Sequence, residues 1–186
     1  MPPTIPRLAF DELAPELAEL LRPRVERLGY LGEFFRVTAH QPAALVDFYR
    51  LTEDLKKAMP AAHTEVVALT VAAQLDNAYE RNQHERLCAK LGFSRDWIRG
   101  VLALDPDRAP ELSADDRIVQ RLTLALLARA GKDCAADRDA AIAALGPPET
   151  VALLMLVGRY SMHATIVNAL ELAPPVASIF ADQPTA

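Results

Sequence analysis

The segment EVVALTVAAQLDNAYERNQHERLC, residues 65–88, constrains the fold more than any other part of the chain. Residues 66–75 are nearly all apolar, and the chain becomes polar from Asp76 onward. A helix that is apolar on nearly every side lies at the centre of a bundle or in a subunit interface. Asp76 and Asn77 are good capping residues. We therefore predict two helices, over residues 61–75 and about 78–91, with a break between them.

Glycine, proline and capping residues mark the ends of further predicted helices, and no strand-like alternation is present. Asp11 is predicted to cap the first helix, and Pro42 to begin one that runs to about residue 59. Ser94 and Ser113 are predicted to cap two more. The last long helix is expected to begin at residues 147–148, after Gly146, and to end near residue 170. The fold class predicted from this pattern is all-α.

Composition narrows the class of protein further. The chain has 186 residues, of which 51% are hydrophobic, so one domain with a real core is expected. We divide it into an arm with the first helix (1–24), a main helical domain (25–172) and a loose tail (173–186). The net charge is −5 with no basic block, which argues against nucleic-acid binding. Two cysteines, Cys88 and Cys134, make no disulfide framework.

No signal peptide is visible at the start of the chain, and the uncharged run over residues 150–158 is too short to span a bilayer. A cytoplasmic protein without a membrane partner is therefore predicted.

Polar side chains on the second helix of the central segment form a candidate active site. Glu80, His84 and Cys88 would share one face with Asn77, because three- and four-residue steps bring helical side chains together. Glu65 would lie roughly 22 Å from Glu80 on one straight helix. The two meet only if the chain folds back near residues 76–77, or if Glu65 comes from another subunit. Two carboxylates and an imidazole in an apolar pocket would suit proton transfer.

Other interpretations of the same residues are open. Asn77 and Glu80 fit a helix cap with a capping box, and Glu65 near a helix start could favour the helix dipole. His84 could be a hydrogen-bonded structural histidine, or could hold a metal together with the two glutamates. A Cys–His pair of Cys88 and His84 is a further alternative.

At these positions the sequence resembles the carboxymuconolactone decarboxylase family, which includes the alkylhydroperoxidase D-like proteins. The peroxidase branch has Glu, eleven residues, Cys-x-x-Cys, three residues and His, and the same spacing here holds Glu65, Asn77, Glu80 and His84. Tyr79-Glu80 before His84 matches the decarboxylase-like branches. The resemblance also covers GEFFRVTAHQPAALVDFY, GFSRDWIRGVLAL and VALLMLVGRYSMHATIVNAL, within residues 25–172.

The resemblance implies an all-α, alkylhydroperoxidase D-like helical bundle that assembles into dimers, trimers or hexamers with the site near a subunit interface. It implies an enzyme without cofactor or metal, and it does not fix the substrate. Both redox cysteines of the peroxidase branch are replaced, by Asn77 and Glu80, and neither residue supplies a low-pKa thiolate or a resolving thiol.

Our first hypothesis is a cofactor-independent decarboxylase or isomerase-type enzyme acting on a small organic acid or lactone. His84 would be the proton donor or shuttle, Glu80 would orient it or act as base, and Glu65 would complete the relay. Substrate contacts are expected from Asn77, Tyr79, Arg36 and Tyr160, with Arg36, Arg81 and Arg159 as candidate cations for a carboxylate. The alternatives are a peroxidase-like antioxidant protein that uses Cys88, and a non-catalytic oligomeric scaffold.

Overall fold

The computed structural model describes residues 4–181, and this part of the chain is helical with no strand. The all-α prediction is confirmed. Its eight α-helices, which we number in chain order, are α1 (Pro15–Leu28), α2 (Glu33–Thr38), α3 (Pro42–Lys57), α4 (Ala61–Gln74), α5 (Ala78–Lys90), α6 (Arg95–Leu102), α7 (Ala114–Arg129) and α8 (Ala135–Ala169).

The predicted break between the two central helices is confirmed. Asp76 adopts a left-handed conformation, with φ of 49°, and the chain reverses there. Asn77 then caps α5, because its Oδ1 atom accepts the Glu80 N–H at 3.2 Å. The reversal brings the start of α4 beside the middle of α5, which is what places Glu65 and His84 in one site.

Helix α4 forms the centre of the molecule. Its residues 63–72 are all buried, and it packs against α5, α6, α7 and α8. A second apolar cluster lies between α1, α2 and α3, where Leu17 and Leu21 pack with Phe34 and Leu45. The candidate site lies where α5 and α8 meet both clusters, since Tyr160 belongs to the first and Tyr79 to the second.

The first part of the chain differs from the prediction. Asp11 lies in a short 3-10 helix (Phe10–Glu12) and does not cap α1, which begins at Pro15. Proline suits the first position of a helix because it has no N–H to leave unpaired. Helix α2 was not predicted. It has only six residues, and two of them, Phe34 and Val37, are buried, so packing rather than local propensity stabilises it.

The tail is fastened to α5 rather than loose. Asn82 donates to the Val176 carbonyl at 2.9 Å, and the buried Glu85 accepts from the Ser178 hydroxyl at 2.6 Å and from the Ile179 N–H at 3.0 Å. Helix α1 continues across the predicted boundary between the arm (1–24) and the main domain (25–172). The division into arm, domain and tail stays a prediction. Residues 1–3 of the arm and 182–186 of the tail lie outside the described part of the chain.

Helix α8 is interrupted at Gly146, whose φ of 80° and ψ of 164° are non-helical. The predicted helix end at this glycine and the new start at residues 147–148 are therefore confirmed, and we call residues 147–169 the second half of α8. By length and composition α8 is the one helix within residues 4–181 that could cross a membrane. The core helices of other proteins are often as long and as apolar. The second half of α8 buries Leu153, Leu156 and Tyr160 in the apolar cluster around α4.

Candidate active site

A chain of three buried side chains crosses from α4 through α5 to α8. His84 Nδ1 lies 2.6 Å from Glu65 Oε2, and His84 Nε2 lies 3.4 Å from the Tyr160 hydroxyl. A carboxylate only accepts hydrogen bonds, so Glu65 makes Nδ1 the donor and leaves Nε2 with a lone pair. The Tyr160 hydroxyl then donates to Nε2. The sequence-based expectation that Glu65 and His84 meet is confirmed, and they meet within one chain.

Glu80 lies one helical turn before His84 and faces a second group of charges. Its Oε1 atom accepts from Arg159 at 3.2 Å and lies 3.5 Å from His163 Nε2, while its Oε2 atom lies 3.9 Å from His84 Nε2. Burial alone would raise the pKa of Glu80, but its interactions with His163, His84 and Arg159 outweigh burial and hold that pKa well below its usual range. Glu80 is therefore the ionised partner of Arg159.

Arg159 is fixed on every side by the residues of this group. Its Nε atom donates to Thr52 at 2.8 Å, and its guanidinium carbon lies 4.3 Å from the Tyr160 ring centroid and 4.7 Å from that of Phe48. These contacts leave Arg159 paired with Glu80, with little freedom to bind a second carboxylate.

His163 lies beside this pair in an environment that disfavours its charged form. Its side chain is 4% exposed, and its ring centroid lies 4.1 Å from that of Phe34. Burial lowers the pKa of His163 to about 4, with Arg159 acting in the same direction and Glu80 in the opposite one. His163 is thus neutral near pH 7, and its Nδ1 atom has no hydrogen-bond partner within residues 4–181.

These side chains line a cavity of about 890 Å³ that reaches the surface. Its volume is within the range of pockets that hold drug-sized ligands. The deep end holds Glu65, Glu80, His84 and Tyr160, and exposed residues such as Arg27 line the same cavity. The aromatic side chains in its wall are Tyr30, Phe35, Phe48, Tyr49, Tyr79 and Tyr160.

Tyr79, a predicted substrate contact, lines the cavity, and its hydroxyl accepts the Phe34 N–H at 3.2 Å. The hydroxyl comes close to the backbone of Gly32, where a Cβ atom would lie 2.6 Å from it, so only glycine fits there. Burial raises the pKa of Tyr79 to about 12 and that of Tyr160 well above its ordinary value. Both phenols therefore keep their protons.

Cys88 lies against the same cluster but is poorly placed for thiol chemistry. Its Sγ atom donates to Glu65 Oε2 at 3.5 Å and is completely buried. Burial, and then the nearby Glu65 carboxylate, raise the pKa of the thiol well above its usual value. Both cysteines are free thiols.

Several predicted contacts do not reach the cavity. The Arg36 guanidinium instead donates to the Leu8 carbonyl at 3.1 Å and to the Arg7 carbonyl at 3.2 Å, because the extended N-terminal segment passes over α2. Asn77 is taken up by capping α5. Arg81 pairs with Glu85 at 3.7 Å on another face of α5.

The capping-box interpretation of Glu80 is also wrong. The Asn77 N–H donates to the Ala72 carbonyl at 2.7 Å, so it does not meet the Glu80 carboxylate. As for the metal alternative, no group of three or more His, Cys, Asp or Glu side chains within residues 4–181 is arranged to hold a metal ion.

The sequence analysis did not name His163 or Arg24, both of which line the cavity, as site residues. His163 follows Arg159 by four residues and Tyr160 by three, so helical spacing would have placed all three on one face. No comparable signal exists for Arg24, since its place depends on how α1 packs over α2.

The geometry suits the transfer of a proton rather than attack by a nucleophile. One imidazole has a fixed donor side, its acceptor side faces a protonated phenol, and the ionised Glu80 carboxylate lies close enough to stabilise positive charge on the ring. Low local dielectric strengthens each of these interactions.

Solved structures with the same architecture are known. The chain superposes on the alkylhydroperoxidase AhpD core of an uncharacterized peroxidase-related protein from Ralstonia eutropha JMP134 with a TM-score of 0.76 and 13% identity, over 92% of this chain and 93% of that one. It superposes on an uncharacterized peroxidase-related protein from Silicibacter sp. TM1040 with a TM-score of 0.77 and 18% identity, over 95% and 94%.

These likenesses show that the chain has the alkylhydroperoxidase AhpD-like helical fold, as predicted. No protein-family model matches the sequence, and no curated protein matches it.

Proposed function

We propose that this AhpD-like protein is a cofactor-independent enzyme of the carboxymuconolactone decarboxylase type, which moves a proton on a small organic acid or lactone. The observation that carries the proposal is the Glu65–His84–Tyr160 chain, in which a carboxylate 2.6 Å from Nδ1 holds the imidazole with Nε2 towards the phenol. A ring held in this way can take a proton at Nε2 and deliver it to carbon, which is the work of a general acid–base catalyst.

For a decarboxylation, the bond between the carboxyl carbon and its neighbour breaks and carbon dioxide leaves. The electron pair of that bond moves into an adjacent carbonyl and forms an enolate. For this step His84 first takes a proton from water at Nε2, and the charged ring then gives that proton to the enolate carbon and returns to its neutral form. An isomerisation uses the same parts, with proton removal from carbon in place of carbon dioxide loss.

In this scheme Glu80 is an electrostatic partner of the proton-carrying ring and not the general base. Its pKa is held well below the usual range, so it takes up a proton reluctantly. Its Oε2 atom lies 3.9 Å from His84 Nε2 and would stabilise the charged imidazole during transfer.

The test uses exchange of carbon-bound hydrogen with deuterated water, followed by NMR over a set of small keto acids, hydroxy acids and lactones. The wild type should exchange at least one of them, and His84→Gln should lower that rate roughly a hundredfold, the usual scale of general acid–base help. Thermal unfolding should change little. Full exchange in both His84→Gln and Glu65→Gln would contradict the relay, and no exchange or carbon dioxide release with any compound would favour a non-catalytic scaffold.

An alkylhydroperoxidase-like antioxidant activity is the second candidate, favoured by the contact between Cys88 and Glu65 and by the likeness in fold to peroxidase-related proteins. It requires a reactive thiolate, which the raised pKa of Cys88 opposes. Peroxide consumption with a thiol reductant, compared between wild type and Cys88→Ser, tests it. Turnover that disappears in Cys88→Ser would establish the antioxidant function.

A further inference from the structure

Arg24, on α1, lies in the wall of the cavity and has no charged partner among residues 4–181. Its side chain is half-buried, and no acidic group or carbonyl within residues 4–181 lies at ion-pair or hydrogen-bond distance from its guanidinium. The guanidinium instead lies over the Phe35 ring, whose centroid is 5.0 Å from the guanidinium carbon. Its N–H donors therefore face the solvent of the cavity, where they are available to an anion that fits the planar guanidinium.

The surroundings of Arg24 strengthen this conclusion. Arg27 lies three residues later on the same helix, lines the same cavity and also lacks a partner within the described residues. Six lysines and arginines line the cavity against three glutamates, although the whole chain carries a net charge of −5. A positive cavity in an acidic protein attracts and concentrates anions.

Arg24 is also close enough to act on the reacting groups. Its positive charge acts on the pKa values of Tyr79, Tyr160 and His163, in each case towards a lower value, although burial is the larger cause. Arg159, the other arginine near these groups, already pairs with Glu80. Arg24 is therefore the cation that remains available to a substrate in this part of the cavity.

We propose that Arg24, supported by Arg27, binds the carboxylate of an acid whose apolar or unsaturated body extends along the aromatic wall towards His84. This carboxylate serves to hold the substrate, and the reacting carbon lies at the other end. The inference rests on the proposed function and adds to it the substrate class and the residue that recognises it.

The experiment compares two inert probes of nearly the same shape, the anion 3-phenylpropionate and its neutral amide, 3-phenylpropionamide, by calorimetric titration. The wild type should bind the acid at least tenfold more tightly than the amide. Arg24→Gln should weaken binding of the acid by about tenfold or more, the scale of a lost charge-assisted hydrogen bond, and leave the amide unchanged. Arg24→Lys should keep part of the preference, because it keeps the charge but not the planar fork.

Arg22→Gln is the matched control. Arg22 lies on the same helix, and its guanidinium carbon is 5.3 Å from the Phe10 ring centroid, but it does not line the cavity. It should bind both probes as the wild type does. Equal affinity for acid and amide in the wild type, or unchanged acid binding in folded Arg24→Gln, would overturn the proposal. His84→Gln should bind the acid normally, so a failure of the proton relay is seen in exchange rates and a failure of this inference in affinities.

Discussion

At the scale of single residues, Asn77 and Glu80 have different roles, although the sequence pattern allows both of them to cap α5 and to belong to the active site. The Asn77 side chain caps α5, whereas the Glu80 carboxylate turns away to Arg159 and His163. We predict that Asn77→Ala lowers the free energy of unfolding by about 1 kcal/mol, the usual cost of a lost cap, and reduces turnover much less than Glu80→Gln does.

Glu80→Gln should show the opposite balance. The amide keeps the shape of the side chain but removes the negative charge that faces Arg159 and His84. Proton exchange at carbon should fall at least tenfold, because the charged imidazole loses its stabilising partner. Chemical denaturation and exchange assays on the two variants check both effects, and equal loss of activity in both would mean that the cap and the chemistry are not separate.

The titration of His163 gives a prediction about pH. Its folded pKa of about 4 lies below its ordinary value of 6.5, so between these values the unfolded chain binds a proton that the folded chain does not. The free energy of unfolding is therefore not reduced by His163 above pH 6.5, and it falls as the pH decreases from 6.5 towards 4. From pH 7 to 4.5 the loss is on the order of 2 kcal/mol.

Urea unfolding at several pH values checks this prediction. His163→Gln should be less stable than wild type at pH 7 but should lose less stability on acidification. His40→Gln is the control, since His40 lies at the surface beside the Pro6 carbonyl. A pH dependence in His163→Gln identical to that of wild type would show that His163 is not the titrating group.

At the scale of helices, most ends were predictable because the residues that make them act locally. Asn77, Ser94 and Ser113 each cap the predicted helix through a side-chain oxygen, and Ser113 and Asp116 form a full capping box. Helix α2 was not predictable, since its stability comes from the burial of Phe34 against α3 and not from its own sequence.

The part of the candidate site that depends on local signals was predictable, and the part that depends on helix packing was not. Glu65, Glu80 and His84 lie on helices joined by a short, recognisable turn, so their meeting followed from local signals. Arg24 and the partners of Arg36 depend on how α1 and the N-terminal segment cross α2, which no periodicity in the sequence specifies.

We predict that the strap formed by residues 176–180 opens separately from the helical core. Val176 and Ile179 line the cavity, and the strap is held by the bonds from Ser178 and Ile179 to the buried Glu85. Glu85→Gln should weaken this attachment, because charge-assisted hydrogen bonds become neutral ones. Amide exchange at residues 176–180 should then become faster by at least tenfold, while protection of α4 stays unchanged, as measured by mass spectrometry.

Ser178→Ala offers a milder variant of the same test. It removes one of the two bonds to Glu85 and should raise the exchange rate by less than Glu85→Gln does. Uniform loss of protection over α4 and α5 in either variant would instead mean that Glu85 supports the core and that the strap is not a separate unit.

At the scale of the whole molecule, residues 4–181 leave one apolar face exposed. Val151, Leu154, Met155 and Met162 recur at helical spacing on the second half of α8, with exposed fractions of 53%, 36%, 48% and 56%. Large apolar side chains grouped in this way mark an interaction surface. Because Arg159 lies at the edge of this face and Tyr160 on the opposite side of the same helix, contacts at this face would also hold the candidate site in place.

We predict that a second copy of the chain covers this face, giving a dimer, trimer or hexamer. Light scattering at micromolar concentration should therefore report at least twice the mass of one chain. Val151→Glu combined with Met155→Glu should shift the protein to monomer while its helical circular-dichroism signal persists, because burying two carboxylates in an apolar contact is costly. Leu51→Glu is the matched control, since Leu51 is a 37% exposed apolar residue on α3, outside this face, and should leave the mass unchanged. A wild-type protein that is monomeric at these concentrations would contradict the prediction, and the apolar face would then need another partner.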